Sequence, residues 1–201
     1  MGKATREAYG NALARIGKEN TNIIVLDADL SKSTKTDTFK NVCPERFFNV
    51  GIAEQNLISV GAGLAAAGKT PFVSSFAMFA TGRAFEQIRN AVCYPKLNVK
   101  VCATHAGITV GEDGATHQSL EDISCMRTLP NMTVVVPADE RETEAVVEWA
   151  ASYEGPVYVR LGRAGVDDVT AEGYTFVPGK STTLIAVSYT HLRAHETRSN
   201  L

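Results

Sequence analysis

Two rhythms of apolar positions alternate along this chain. Between Thr5 and Lys18, Ala8, Ala12, Leu13 and Ile16 recur at the spacing of one helix face, and Asn22 to Leu26 is then a short β-branched run. A helix leading into a buried strand is predicted there. The alternation repeats with a short strand over Phe47 to Val50, an Ala/Gly-rich helix over Glu54 to Ala67, a strand over Pro71 to Ser75 and a helix over Gly82 to Val92. Strand Val99 to Thr104 and a glycine-rich loop to Thr116 follow, with a helical stretch near Leu120 to Cys125. Strand Met132 to Val136, helix Glu140 to Ala151 and strand Val157 to Leu161 complete the series. Strands that are apolar throughout and alternate with helices imply an α/β fold, a mostly parallel sheet with helices on both faces. Ligands on such sheets bind at the carboxyl ends of strands, so the informative loops follow Leu26, Ser75 and Thr104.

The rhythm stops at Gly165. From there to Gly179 the chain is rich in Gly, Asp, Thr and Val and reads as a linker, and Thr182 to Val187 begins a new strand. The expected organisation is a domain over 1–168, a linker with the truncated start of a further domain over 169–187, and a tail over 188–201. The tail is polar and basic with no apolar face. Val187 to Thr197, VSYTHLRAHET, is similar to the translation of a transposase sequencing adaptor read through at the end of a DNA fragment. It is expected to be non-native, as in a metagenomic fragment, so His191 and His195 are left out of the chemistry.

Composition narrows the class. A chain of 201 residues that is 44% hydrophobic and 21% charged can build one sizeable core. Its formal net charge of -2 argues against nucleic acid or an anionic membrane as the main partner, since those select basic surfaces, but leaves small anionic substrates open. No run of about eighteen uncharged apolar residues occurs, and MGKATREAYG lacks the apolar centre of a signal peptide, so a cytoplasmic location is expected. Cys43, Cys93, Cys102 and Cys125 form no C-x-x-C pair and read as reduced thiols, mostly core.

Three segments carry candidate chemistry. In FFNVGIAEQNL, Glu54 falls where a short strand turns into a helix, a place where acidic residues also occur for helix electrostatics alone. In SSFAMF, Phe76 and Phe79 stand three apart directly after a strand; they are either core or a flat face for a planar heterocycle. In ATHAGITVGEDGATHQSLED, His105 and His117 bracket a glycine-rich loop holding Glu112 and Asp113. Glycines let backbone approach a ligand, and histidines and carboxylates bond sugar hydroxyls and move protons near neutral pH. Metal binding is the rival reading, but the spacing matches no familiar zinc or calcium loop.

The ordered set ATR, DADLSKS, VGIAEQNL, SFAMF, ATHAGITVGEDGATHQSLED, LPN and RLGRAG, from Ala4 to about Val166, resembles the pyrimidine-binding domain of transketolases. The resemblance implies thiamine diphosphate as cofactor, with Glu54 bonding its aminopyrimidine, Phe79 and Phe76 forming the stacking platform and Asp29 lying nearby. It places Arg6, Ser33, His105 and Arg163 on the substrate phosphate, and Asp113 and His117 on the sugar hydroxyls and the reacting carbon. Glu54 and His117 are the expected catalytic pair. Glu54 would act as a protonated acid toward the pyrimidine, its neutral form favoured by burial against Ile52 and Leu57. Arg160 reads as a strand-edge charge, and Arg163 is preferred to it on the resemblance alone.

The family's Gly-Asp-Gly to asparagine metal signature has no counterpart here. The resemblance is therefore to the C-terminal subunit of split transketolases, with Mg2+ or Ca2+ and the diphosphate held by an N-terminal partner subunit in a heterotetramer. Implied activity is transfer of a two-carbon ketol unit between sugar phosphates, as in the pentose phosphate pathway, and only with that partner. Deoxyxylulose-phosphate synthases share a VGIAEQ-like segment but in their pattern lack the histidine of ATH and the Glu-Asp pair. Beta subunits of 2-oxo acid dehydrogenases lack the ATH to GEDGATH arrangement. A non-catalytic module that kept the fold is the remaining alternative, which loss of Glu54 or His117 would have favoured.

Overall fold

The central strands of this protein divide their side chains between two cores. In a computed structural model, which describes residues 2–180 and 183–185, six parallel strands form one sheet in the order β2-β1-β3-β4-β6-β5. They are β1 (Ile23–Asp27), β2 (Phe47–Asn49), β3 (Thr70–Phe76), β4 (Lys100–Thr104), β5 (Thr133–Val135) and β6 (Val157–Arg160). Ile24, Leu26, Val73, Val101, Ala103 and Tyr158 point into one core, while Ile23, Val25, Phe72, Cys102, Val157 and Val159 point into the other. Alternation along a strand with both faces covered is why these segments read as unbroken apolar runs.

Helices α1 (Thr5–Glu19), α3 (Asp37–Val42) and α7 (Glu140–Ser152) cover one face, and α4 (Glu54–Ala66) and α6 (Asp122–Arg127) cover the other. Beside α4 lies a composite helix: a π-helical turn Phe79–Arg83, α5 (Phe85–Gln87) and a second π-helical turn Ile88–Cys93. The helix expected over Gly82 to Val92 is thus longer and broken near Ala84. Wide π turns re-aim the side chains they carry and recur at functional sites.

One stretch was not legible in the pattern. The polar run SKSTKTDTF folds into α2 (Ser31–Thr34) and α3 because the buried Asp27 carboxylate accepts from the Leu30 amide at 2.6 Å, Thr34 Oγ1 at 2.7 Å and Thr36 Oγ1 at 2.9 Å. Phe39 then buries its ring on Gly17, where a Cβ would stand 2.3 Å from the ring. A buried phenylalanine contributes about 2 kcal/mol, enough to fix a short helix with little propensity of its own.

The segment expected to leave as a linker runs back along the domain. Gly165 bridges Ala4, the Thr170 amide and hydroxyl donate to the Asp139 carboxylate at 2.7 and 2.8 Å, and Phe176 packs edge-on to Trp149 at 5.2 Å. The strand expected over Thr182 to Val187 and the tail beyond it fall largely or wholly outside the described residues. Cys43, Cys93 and Cys102 are buried free thiols and Cys125 is half-buried. Among the described residues no helix is long and apolar enough to cross a membrane.

Candidate active site

Glu54 opens α4 immediately after the turn through Gly51, whose φ is 76°. Its carboxylate is only 1% exposed, yet it lies at the carboxyl rim of the sheet. Oε1 accepts from Ser75 Oγ at 3.3 Å, and Oε2 pairs with Arg83 Nη1 at 2.7 Å. The expectation that Ile52 buries this carboxyl is wrong, because Ile52 turns outward and is 78% exposed; Leu57 is buried as expected. Residue 52 precedes the helix, so it follows the turn rather than the apolar face of α4.

Aromatic rings stand beside the carboxylate. Phe76 ends β3 and is buried, and Phe79 is half-buried, with ring centroids 6.0 Å apart and planes 16° from parallel. Phe76 stacks on His105 at 3.8 Å, and His117 meets the Phe79 ring edge-on at 5.1 Å. The Arg83 guanidinium lies 4.7 Å from the Phe79 centroid. Phe76 is therefore packed between Phe79 and His105.

A basic cluster follows at the ends of β4 and β6. His105 adopts a left-handed backbone, φ 58°, which turns its ring back over Phe76. Its Nε2 lies 3.3 Å from Arg6 Nη1, and its Nδ1 lies 2.9 Å from Thr104 Oγ1. Arginine can only donate, so Nε2 accepts and the proton of the neutral ring sits on Nδ1, facing the threonine hydroxyl. Burial pulls the His105 pKa down to about 4, and the charges of Arg6 and Arg163 add to the effect, which agrees with a neutral imidazole. Arg6 also donates to the Ser33 carbonyl at 2.9 Å, and its buried Nε has no hydrogen-bond partner among the described residues. Burial lowers the Arg6 pKa, and Arg163 contributes as a second cation nearby.

Arg163 donates to the Val110 carbonyl at 2.9 Å and to Glu112 Oε1 at 3.0 Å, holding the glycine-rich loop. Arg160 is engaged elsewhere: its Nε reaches the fully buried Asp122 at 2.7 Å, where Tyr158 also donates at 2.7 Å. The structure thus brings together Glu54, Phe76, Phe79, His105, His117 and Arg6. Ser33 joins them through its carbonyl, and Asp113 sits exposed on the loop, close enough to influence His105. Asp29 lies on an exposed turn with φ 65°, accepting from Asn49 Nδ2 at 2.8 Å.

Sequence reasoning missed Arg83, although arginine four residues beyond Phe79 is the helical spacing of a cation over a ring. It also missed Thr104 and Asp122. Asp122 could not have been found, because its partner Arg160 is 38 residues away. Chemically, the rim offers a sequestered carboxylate beside a ring, and next to them, around a neutral histidine, two arginines able to receive an anion. Among the described residues no group of three or more His, Cys, Asp or Glu side chains is placed to hold a metal ion.

Residues 1–167 match the family described as transketolase, pyrimidine binding domain. A sequence from Methanocaldococcus jannaschii, named for a transketolase C-terminal section, is 55% identical over 185 residues, 91% of this chain and 58% of that one. Transketolase from Homo sapiens is 44% identical over 161 residues, 80% of this chain and 26% of its own length. Among solved structures, a split gene transketolase described as an inactive beta4 tetramer superposes with a TM-score of 0.83 at 61% identity, covering 92% of this chain and 59% of that one. The chain spans less than two thirds of the length of each of these relatives.

Proposed function

The chain belongs to the transketolase family through its pyrimidine-binding domain, and from that premise we propose that it is the C-terminal subunit of a split transketolase. The reaction is transfer of a two-carbon ketol unit from a ketose phosphate to an aldose phosphate, in the manner of the pentose phosphate pathway. Residues 1–168 form the working domain, 169–187 lead to a further domain, and 188–201 are the adaptor-derived tail. The observation that carries this reading is the placement of one buried carboxylate, Glu54, beside the half-buried Phe79 ring and next to the Arg6 and His105 cluster.

That donor set suits the pyrimidine end of thiamine diphosphate. Glu54 is a carboxyl partner for a ring nitrogen, its own contacts being one hydroxyl at 3.3 Å and one half-exposed guanidinium. Phe79, backed by Phe76, supplies the flat contact, with Asp29 at the outer edge. Bound there, the cofactor supplies the carbon nucleophile and electron sink that ketol transfer requires. Glu54 holds a proton against the ring nitrogen, and the buried wall of Leu57 and Phe76 excludes water from it.

Arg6, His105, Arg163 and the Ser33 side chain receive the substrate phosphate, where an arginine fork gives directional bonds to its oxygens. In the tautomer with its proton on Nε2, a neutral His105 donates a hydrogen bond to the phosphate without adding charge, so binding moves the ring proton from Nδ1 to Nε2. Asp113 and His117 orient the sugar hydroxyls, and His117 exchanges a proton at the reacting carbon, a role that its edge-on position against Phe79 supports. A Mg2+ or Ca2+ ion and the diphosphate belong to an N-terminal partner subunit, in a cytoplasmic heterotetramer.

The test is reconstitution. The chain alone should be inactive, and mixing it with a transketolase N-terminal subunit, thiamine diphosphate and Mg2+ should restore transfer from xylulose phosphate to ribose phosphate. Turnover of pyruvate in place of the ketose phosphate would assign it to a deoxyxylulose-phosphate synthase-like or 2-oxo acid dehydrogenase-like activity instead.

A further inference from the structure

Arg83 occupies the two features that the proposed pyrimidine site depends on. Its Nη1 donates to Glu54 Oε2 at 2.7 Å, while its guanidinium carbon lies 4.7 Å from the Phe79 ring centroid. A guanidinium is flat, donates hydrogen bonds in its plane and favours an aromatic face. An aminopyrimidine is recognised through the same three properties. Glu54 is 1% exposed, whereas the Arg83 side chain is 49% exposed, so the arginine can leave into water and the carboxylate cannot. Arg83 also ends the first π-helical turn of the composite helix, directly after Gly82, where the regular helical ladder is broken.

We propose that Arg83 is an internal competitor for the pyrimidine half-site, holding Glu54 in the unliganded chain and leaving it when a flat nitrogen base enters. The proposal rests on the reading of Glu54 and Phe79 as the pyrimidine site. It adds a specificity element, since only a ligand that both bonds the carboxylate and covers the ring replaces everything Arg83 supplies.

Thiamine, which carries the pyrimidine ring without the diphosphate, is the probe, titrated calorimetrically into the 201-residue chain. Arg83→Ala and Arg83→Met, the second keeping the stem against Phe79, should each bind it roughly tenfold more tightly than wild type. Equal or weaker binding by both variants overturns the proposal; if Glu54→Ala then still abolishes binding, the pyrimidine site itself stands. If Glu54→Ala binds thiamine as well as wild type, the pyrimidine reading fails and the competition with it. A second readout is independent of affinity. The Arg83 Nε–H resonance, identified by its loss in Arg83→Met, should move on saturation with thiamine, and an unmoved resonance sinks the idea.

Discussion

Two helices begin at the carboxyl rim of the sheet with a buried carboxylate, and they are wired in opposite ways. At the start of α7, Asp139 is fully buried and accepts from the amides of Glu142, Val169 and Thr170 and from the Thr170 hydroxyl, at 2.7 to 2.9 Å. Burial pushes its carboxyl up, but these hydrogen bonds outweigh that and hold it below the ordinary value. At the start of α4, Glu54 is equally buried, yet Ala53 provides no side-chain cap and, among the described residues, the carboxylate has only Ser75 and Arg83. A carboxylate whose lone pairs are filled by its own backbone is structural. One left with a long hydroxyl contact and a removable cation is available to a ligand.

The sharpest way to break the comparison is to remove each carboxylate. Glu54→Ala should reduce ketol transfer in the reconstituted enzyme by roughly a thousandfold, and Glu54→Gln should keep a small residual rate. Urea unfolding of Glu54→Ala should match wild type, since the Arg83 partner turns to water. Wild-type turnover in that variant would return Glu54 to the role of a helix-start charge.

Lys100 extends the contrast to the amino end of the sheet. It is fully buried, donates to Asn98 Oδ1 at 2.5 Å and to the carbonyls of Tyr153 and Gly155 at 2.6 and 2.8 Å, and burial lowers its pKa to about 8. Lys100→Met leaves the Tyr153 and Gly155 carbonyls without their donor, while Asn98 Oδ1 keeps the Gly155 amide at 3.4 Å, and should destabilise by about 3 kcal/mol in urea titrations, with kcat of the folded enzyme unchanged. A loss of activity at full stability would mean that the charge at this end matters to the reaction.

Asp139→Ala should cost about 2 kcal/mol, removing the α7 cap and its hold on Thr170, and should speed proteolysis after residue 168. Its folded pKa is depressed, so its contribution is present above the unfolded value and is lost as pH falls through the folded one. His105 has the opposite chemistry. With a folded pKa of about 4 against 6.5 unfolded, the unfolded chain binds more protons between these values, so stability should rise with pH from about 4 to 6.5. Comparing His105→Gln with wild type at pH 5 and 7 should show roughly 2 kcal/mol less pH dependence in the variant. An unchanged slope would mean that His105 titrates in the folded protein as it does in the unfolded chain.

The alternation of apolar strands and helices marked every strand to within a residue or so, because burial on both faces leaves a signal in each segment's own composition. The ordered motifs likewise carried the family and the candidate residues, since chemistry is confined to a few residue types. The polar helices after β1 were invisible, being held by Asp27 and by the Phe39 contact with Gly17 rather than by any periodicity. The burial of Glu54 was visible as an expectation, but its cause was misplaced onto Ile52. What only the tertiary structure decided is how each charge is partnered. Arg83 on Glu54, Arg160 on Asp122 and Arg6 on His105 join residues 29, 38 and 99 positions apart. A sequence records which charges a chain carries; in a low-dielectric rim, what each one does depends on the neighbour that folding brings within about 3 Å.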